Sequence, residues 1–430
     1  MSDSRLADFC ASIDYGYTTS ASNEVIGPRF LRITDIVGGP PQWEQVPYCE
    51  ADEKTAAKFK LNDADVVVAR TGATTGVSAY IQSPPAAVFA SYLVRLVADT
   101  SVADARFISY YLKGPQFWGY MRGVLGDKSA QPNASAKTIT QAPATFPKPD
   151  EQRAIASVLG ALDDKIEQNR RTTQALEKLA RAIFRAWFVD FEPVKAKAAG
   201  ATSFPSMPQP VFDALPTRLV DSAIGPVPEG WEVKSLRDVC DVNAKSLRAG
   251  EVEGEIEYVN ISSVTRGHLD QIERLDFADA PSRARRVIQD GDTIWSCVRP
   301  NRMSYLYIHN PPENRIVSTG FAVLTPTAVG PSFLYQLTTQ PEFVDYLVAN
   351  ATGSAYPAVR ADHFEAAQFG CAPKSALDAF ESATSCMRRW IGEAENESRK
   401  LAQMRDYLLP KLLSGQIRVR AAERAAATVA

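Results

Sequence analysis

One feature constrains this chain more than its composition does: a pattern that returns after about 227 residues. Leu61-Asn62-Asp63-Ala64-Asp65-Val66-Val67-Val68-Ala69-Arg70 matches Ile288-Gln289-Asp290-Gly291-Asp292-Thr293-Ile294-Trp295-Ser296-Cys297 in type, a polar turn feeding a short apolar strand. Upstream, Phe30-Leu31-Arg32-Ile33-Thr34-Asp35-Ile36 matches Tyr258-Val259-Asn260-Ile261-Ser262-Ser263-Val264, each alternating as a strand buried on one face does. Downstream, Phe107 and Pro115-Gln116-Phe117 align with Phe333 and Pro341-Glu342-Phe343, in stretches whose apolar spacing suggests short helices. Ser129-Ala130-Gln131-Pro132-Asn133 then faces Ser354-Ala355-Tyr356-Pro357-Ala358, and the offset drifts only from 228 to 225 along the path. A duplication is expected; the residues alone leave open two unrelated mixed α/β domains.

Each copy ends in a long helical pattern. Ile155 is followed by Leu159, Leu162, Ile166, Asn169, Thr173, Leu176, Ala180, Ile183 and Trp187 in 4,3 alternation, the seam of a coiled coil. The second stripe reads Phe380, Ala383, Met387, Trp390, Ala394, Glu397, Leu401, Met404 and Leu408. A helix over 150–187 would be roughly 57 Å long at 1.5 Å per residue. Neither stripe can stay exposed, and the cheapest burial is against the other. The expected fold is therefore α+β: two similar mixed α/β domains in a pseudo-twofold arrangement, joined by two long antiparallel coiled-coil helices. Ile155, Leu159, Leu162, Ile166, Leu176, Ile183, Phe380, Met387, Leu401, Met404 and Leu408 should form the packing. Asn169 and Glu397 fit a register device or a wet edge equally well. Boundaries follow at 1–148, a central helix over 149–190, an irregular proline-rich connection over 191–218, a second domain over 219–372, a C-terminal helix over 373–420 and a tail over 421–430.

With 430 residues, 45% hydrophobic and 23% charged, the chain has material for several cores and no low-complexity character. No apolar run is long enough to span a bilayer and Met1–Cys10 does not read as a leader, so a cytoplasmic protein with no membrane association is expected. Cys10, Cys49, Cys240, Cys297, Cys371 and Cys386 are scattered without CxxC spacing, which suits packing thiols. The formal net charge of -3 excludes a simple polycation, so any nucleic-acid surface must be local.

Two matching loops after matching strands carry the residue types that reach phosphates and base edges: Arg70-Thr71-Gly72-Ala73-Thr74-Thr75-Gly76 and Ser296-Cys297-Val298-Arg299-Pro300-Asn301-Arg302. Arg283, Arg285 and Arg286 add to the second. The bland alternative is solvated turn residues. Other chemistry is weaker. Asn310-Pro311-Pro312-Glu313 has the outline of an adenine methyltransferase loop, but Glu313 stands where an aromatic should stack on a flipped base. Asp221 with Glu232-Val233-Lys234 has loose metal-nuclease spacing on turn-like flanks. No GxxxxGK[ST] loop is present. His268, His309 and His363 lack ligand spacing.

Three segments carry a family resemblance. Pro149-Asp150-Glu151-Gln152-Arg153-Ala154-Ile155 with Leu162-Asp163-Asp164-Lys165-Ile166 resembles the central spacer of the specificity subunits of type I restriction–modification systems. Ile224-Gly225-Pro226-Val227-Pro228-Glu229-Gly230-Trp231 is similar to the segment leading into their second target-recognition domain. Met404-Arg405-Asp406-Tyr407-Leu408-Leu409-Pro410-Lys411-Leu412-Leu413-Ser414-Gly415 resembles their C-terminal spacer. The second spacer departs from the first, with Pro373-Lys374-Ser375-Ala376 in place of Pro149-Asp150-Glu151-Gln152, which puts the symmetry of its start in doubt. The resemblance implies a non-catalytic subunit whose two target-recognition domains read a bipartite, asymmetric site on double-stranded DNA, while the spacers set the gap. It implies docking of two modification (methyltransferase) subunits and of ATP-dependent restriction subunits, with S-adenosylmethionine, ATP and Mg2+ serving those partners and no cofactor in this chain. Contacts to DNA are then expected from Arg70, Thr71, Thr74, Lys128 and Gln131 in the first domain and from Ser296, Arg299, Asn301, Arg302, Tyr356 and Arg360 in the second. A protein-only adaptor, clamping polypeptides with duplicated domains on a coiled-coil strut, is the alternative.

Overall fold

The computed structural model describes residues 4–126, 132–248, 251, 253–353 and 356–427, so the expected contact residues Lys128 and Gln131 lie outside it. The chain divides into two units, Met1–Gln168 with Glu397–Ala430, and Asn169–Asn396. Among the described residues no helix is long and apolar enough to cross a membrane.

In the first unit the strands are β1 (Cys10–Tyr15), β2 (Arg29–Leu31), β3 (Val66–Ala69), β4 (Ser78–Tyr80), β5 (Ala87–Phe89) and β6 (Leu93–Ala98). An antiparallel sheet has the order β1-β6-β3-β4, and β2 pairs in parallel with β5. All four residues of β3 are buried because its alternate side chains serve two cores. Val66 and Val68 join Ile108 and Leu112, while Val67 and Ala69 join Leu31 and Phe89. Helices α1 (Ala105–Lys113), α2 (Pro115–Leu125) and α3 (Ala136–Thr140) follow. Asp104 caps α1 by accepting the Phe107 amide at 2.8 Å, and proline opens α2.

The long helix α4 (Pro149–Phe184) begins here and continues into the second unit, where a π-helical turn over Arg185–Val189 extends it. Two short helices follow, α5 (Glu192–Ala198) and α6 (Gln209–Ala214). Val194, Phe212 and Leu215 form a small core there, so 191–218 is not the irregular connection its prolines suggested. Apolar residues at helical spacing were enough to fold it between the proline breaks.

The second unit repeats the first. Strands β7 (Cys240–Val242), β8 (Glu255–Val259), β9 (Thr293–Ser296), β10 (Tyr305–Tyr307), β11 (Arg315–Ser318) and β12 (Phe321–Pro326) give a sheet of order β7-β12-β9-β10 and a parallel β8–β11 pair. Each is the element six strands earlier, and the register repeats too. Ala69 faces Leu93 as Ser296 faces Phe321, and Phe30 faces Val88 as Tyr258 faces Ile316. Helices α7 (Pro331–Thr338), α8 (Pro341–Asn350), α9 (Ala361–Glu365) and α10 (Lys374–Leu413) close the correspondence. The turn before the central strand is duplicated bond for bond. Asp65 accepts the Asn62 amide at 2.9 Å and Asp292 the Gln289 amide at 2.8 Å, with left-handed Ala64 and Gly291 between. Asp63 accepts the Ser83 amide and Asp290 the Asn310 amide, both at 2.7 Å. The Asn310-Pro311-Pro312 loop is thereby a turn shared by both units. The second unit adds strands Glu273–Asp276 and Ala284–Val287 on either side of the parallel pair.

Within each unit the long helices pair antiparallel. In the first, Ile155, Leu159 and Leu162 share a core with Leu401, Leu408 and Leu412, with Ile166 and Met404 packed against it. Arg405 donates to Asp163 at 2.8 Å, and Lys165 lies 3.4 Å from Glu397. In the second, Ile183 and Trp187 pack with Phe380, with Met387 against them, and Leu176 is half-buried. There Asn169 donates to the Ala394 carbonyl at 3.3 Å. The α10 seam departs from the expected stripe at Trp390, which is 61% exposed while Ile391 is 7% exposed. Buried positions run Phe380, Thr384, Arg388, Ile391, and two polar residues carry the inward face past the heptad position. Beyond α10, Val419–Ala427 is helical with Ala422 buried in the first unit's core, so the expected tail is folded there in part.

Candidate nucleic-acid interface

The two loops singled out from sequence are built on one backbone. In the first unit the Gly72 amide donates to the Pro132 carbonyl at 2.9 Å and the Ala134 amide to the Arg70 carbonyl at 2.8 Å. In the second the Arg299 amide donates to the Pro357 carbonyl at 2.7 Å and the Val359 amide to the Cys297 carbonyl at 2.9 Å. Two left-handed residues bend each loop: Gly72 (φ 79°) and Gly76 (φ 97°), Arg299 (φ 53°) and Met303 (φ 55°). A β-carbon in that conformation costs on the order of 1 kcal/mol, so the second unit holds its two side chains against strain. Each candidate surface is thus composite, a strand-end loop stapled to a second segment just before α3 or α9.

On this frame the expected residues fall into three groups. Arg70, Arg299, Asn301, Arg302, Tyr356 and Arg360 are partly or fully exposed. The Arg70 guanidinium lies 5.0 Å from the centre of the Tyr15 ring and donates to Asn133 at 3.4 Å, while that of Arg299 lies 4.6 Å from the Tyr356 ring. Arg360 pairs with Asp362 at 3.1 Å. Thr71 and Thr74 are half-exposed, Thr71 bridging to Asn133. Ser296 corrects the expectation: it is 1% exposed, and its hydroxyl donates to the Val298 carbonyl and accepts the Val298 amide, so it shapes the loop from inside. Neighbouring Thr75 does the same in the first unit, donating to the carbonyls of Gly72 at 2.7 Å and Pro132 at 3.1 Å. The sequence reading missed Tyr15 and Met303, whose sulfur meets Arg266. Neither has a signal in residue type: Tyr15 only ends β1, and Met303 is a left-handed residue, which is invisible without dihedral angles.

The remaining candidates are occupied by the fold. Arg283 donates to the Tyr258 hydroxyl at 3.1 Å, Arg285 covers the Phe277 ring at 4.8 Å and Arg286 donates to Ser246 at 2.6 Å. Lys234 pairs with Glu232 at 3.3 Å. Among the described residues no group of three or more His, Cys, Asp or Glu is placed to hold a metal ion. His363 accepts the Arg360 amide, and His309 lies 3.7 Å from Asp290. Burial pushes the thiols of Cys10 and Cys240 up to about 12 and that of Cys297 up to about 11, which keeps them neutral packing groups.

Residues 4–178 match the family described as type I restriction modification DNA specificity domain. The chain is 25% identical over 321 residues to the type I restriction enzyme MjaIX specificity subunit of Methanocaldococcus jannaschii, an alignment covering 73% of this chain and 69% of that one. It is 22% identical over 330 residues to the HindI specificity subunit of Haemophilus influenzae, covering 66% and 71%. In fold it resembles the S subunit of a type I restriction-modification system from M. genitalium, with a TM-score of 0.56 and 14% identity over 95% of each chain. Residues 4–178 thus carry a type I restriction modification DNA specificity domain, running through the first sheet and into the central helix, and the chain is similar over most of its length to two type I specificity subunits.

Proposed function

We propose that the chain supplies the DNA sequence specificity of a type I restriction–modification complex and catalyses nothing itself, each unit reading one half of a split, asymmetric duplex site. One observation carries this reading: two loops of equivalent backbone, each stapled to a second segment and each bearing an arginine laid against a tyrosine. Arg, Thr and Asn around these loops are suited to phosphate and base-edge contact, and a good bidentate contact discriminates by ~1–3 kcal/mol. Two modification subunits would methylate adenine from S-adenosylmethionine, and restriction subunits would use ATP and Mg2+. Mapping methylated adenines in a host genome with and without this chain tests the assignment. A two-part motif should disappear when the chain is removed and change in one half when the loop of one unit is replaced. Titrating duplex binding with salt separates DNA reading from a protein-only adaptor, because phosphate contact makes log K fall steeply with log salt.

A further inference from the structure

Arg70 and Asn133 meet across the two segments of the first unit's loop, and their contact supports an inference resting on the DNA-reading function above. Both backbones are fixed. The Arg70 amide donates to the Tyr92 carbonyl at 2.9 Å, the Arg70 carbonyl accepts the Ala134 amide at 2.8 Å, and Thr71 bridges to Asn133. The guanidinium is held from a second side: it lies 5.0 Å from the centre of the Tyr15 ring, and the Tyr15 hydroxyl accepts the Ala136 amide at 2.9 Å. At the surface one Nη of Arg70 donates to the side-chain oxygen of exposed Asn133 at 3.4 Å. Among the described residues neither side chain makes another hydrogen bond or an ion pair. A guanidinium has five N–H donors and no acceptor, so only the oxygen end of the Asn133 amide can face it. That oxygen is engaged by the cation, and what the pair has left to offer is a row of donors, the other Nη hydrogens of Arg70 and the NH2 group of Asn133. In the major groove guanine presents two adjacent acceptors, O6 and N7, whereas the amino groups of adenine and cytosine are donors.

We propose that Arg70 and Asn133 act as one specificity-determining pair in the first unit, reading a guanine edge in the major groove. Arg70 supplies the charged donors; the Asn133 oxygen steadies the guanidinium while its NH2 group extends the donor row. The two residues lie 63 positions apart, so the reader is assembled only when the loop is stapled to its second segment. The backbone bonds that match the two loops put Cys297 and Ala358 at these places in the second unit, and neither side chain carries a charged donor. This guanine therefore belongs to one half of the site, a difference in reading that two loops of equivalent backbone would not otherwise supply.

The test uses the full-length chain and a pool of randomised duplexes, with bound sequences recovered and counted. Wild type should return a two-part motif with a guanine in one half. Arg70→Ala should flatten that guanine preference by roughly tenfold or more and leave the other half intact. Asn133→Asp keeps an oxygen for Arg70 but turns the donor row into an acceptor, so the same guanine should lose its preference by a similar factor. Because Asn133 is exposed, this variant should unfold at the wild-type temperature and carries the test even where Arg70→Ala folds poorly. The readout is the base preference within bound sequences, which a general loss of affinity does not move. A guanine preference that survives Asn133→Asp overturns the proposal, as does a variant that loses both halves of the motif together. A wild-type motif without guanine in either half also overturns it and leaves DNA reading standing, whereas a wild-type chain that selects no motif overturns DNA reading itself.

Discussion

The side-chain oxygen of Gln152 accepts the backbone amide of Asp104 at 3.0 Å. Its amide group donates to the carbonyls of Val102 at 2.9 Å and Pro147 at 2.8 Å, and the residue is fully buried. Gln152 thus ties the start of α4 to the loop that begins α1. At the equivalent place the second unit has buried Ala376, and there Glu381 takes over, accepting the Ser332 amide and hydroxyl at the start of α7. The two helix starts solve one problem with different groups, which is why Pro149-Asp150-Glu151-Gln152 and Pro373-Lys374-Ser375-Ala376 look unrelated. Gln152→Leu keeps the volume but orphans buried partners costing ~1–3 kcal/mol each. It should lower stability by about 2–4 kcal/mol in denaturant titration.

Glu177 and Arg388 form a second such tie. Both guanidinium Nη atoms of Arg388 donate to the Glu177 carboxylate, and the cation lies 4.2 Å from the ring of Tyr335. Arg388 is 3% exposed, so removing its partner leaves a buried charge alone. Glu177→Ala should cost about 3–5 kcal/mol. Replacing both, as Glu177→Ala with Arg388→Met, should cost less than the single change, and a double-mutant cycle on unfolding free energies checks it.

These pairs mark what the sequence could and could not disclose. The duplication was legible because its signal is local: the Asp63/Asp65 and Asp290/Asp292 turns and the apolar strands behind them keep their residue types. The pairing of the long helices was legible for the same reason, through Leu159, Leu162 and Leu401. The seam near Trp390 was not. There Thr384 returns its hydroxyl to the Phe380 carbonyl at 2.8 Å and Arg388 turns inward to Glu177, so polar residues occupy buried places and a large aromatic is left outside. Hydrophobic spacing cannot register a charge that is buried because its partner is on the other helix. Nor could it pair Gly72 with Arg299, whose likeness lies in a dihedral angle.

Asp292 makes stability depend on pH. Burial pushes its carboxyl up to about 6, from an ordinary 3.8. A carboxyl raised on folding binds its proton more tightly in the folded state, so stability is highest below about pH 4 for this group and falls as pH rises through about 6. The loss is on the order of 3 kcal/mol. Asp65, its counterpart, is also raised by burial, but Arg95 lies 3.7 Å away. Asp292→Asn can still accept the Gln289 amide, so it should be more stable than wild type at pH 7–8 and lose most of the pH dependence between 4 and 6. Unfolding midpoints measured across that range decide it.

The helix pair within the first unit has a direct probe in Leu162, which is 3% exposed in the core with Leu401 and Leu408. Leu162→Asp forces a carboxylate into that core and should cost several kcal/mol, read as a lowered melting temperature. An equal charge at exposed Gln174 of the same helix should change little.

Arg302 lies on the exposed 3-10 turn Pro300–Arg302, beside Arg299 but without its left-handed backbone. A side chain reaching phosphate from such a turn adds affinity without choosing sequence, whereas one reading a base edge does both. Arg302→Ala should therefore weaken binding to cognate and scrambled duplexes by a similar factor and reduce the slope of log K against log salt by about 1. Arg70→Ala should instead weaken the cognate duplex far more than the scrambled one. Parallel salt titrations of both variants on both duplexes separate the two roles, and equal losses for the two arginines would place both on the backbone.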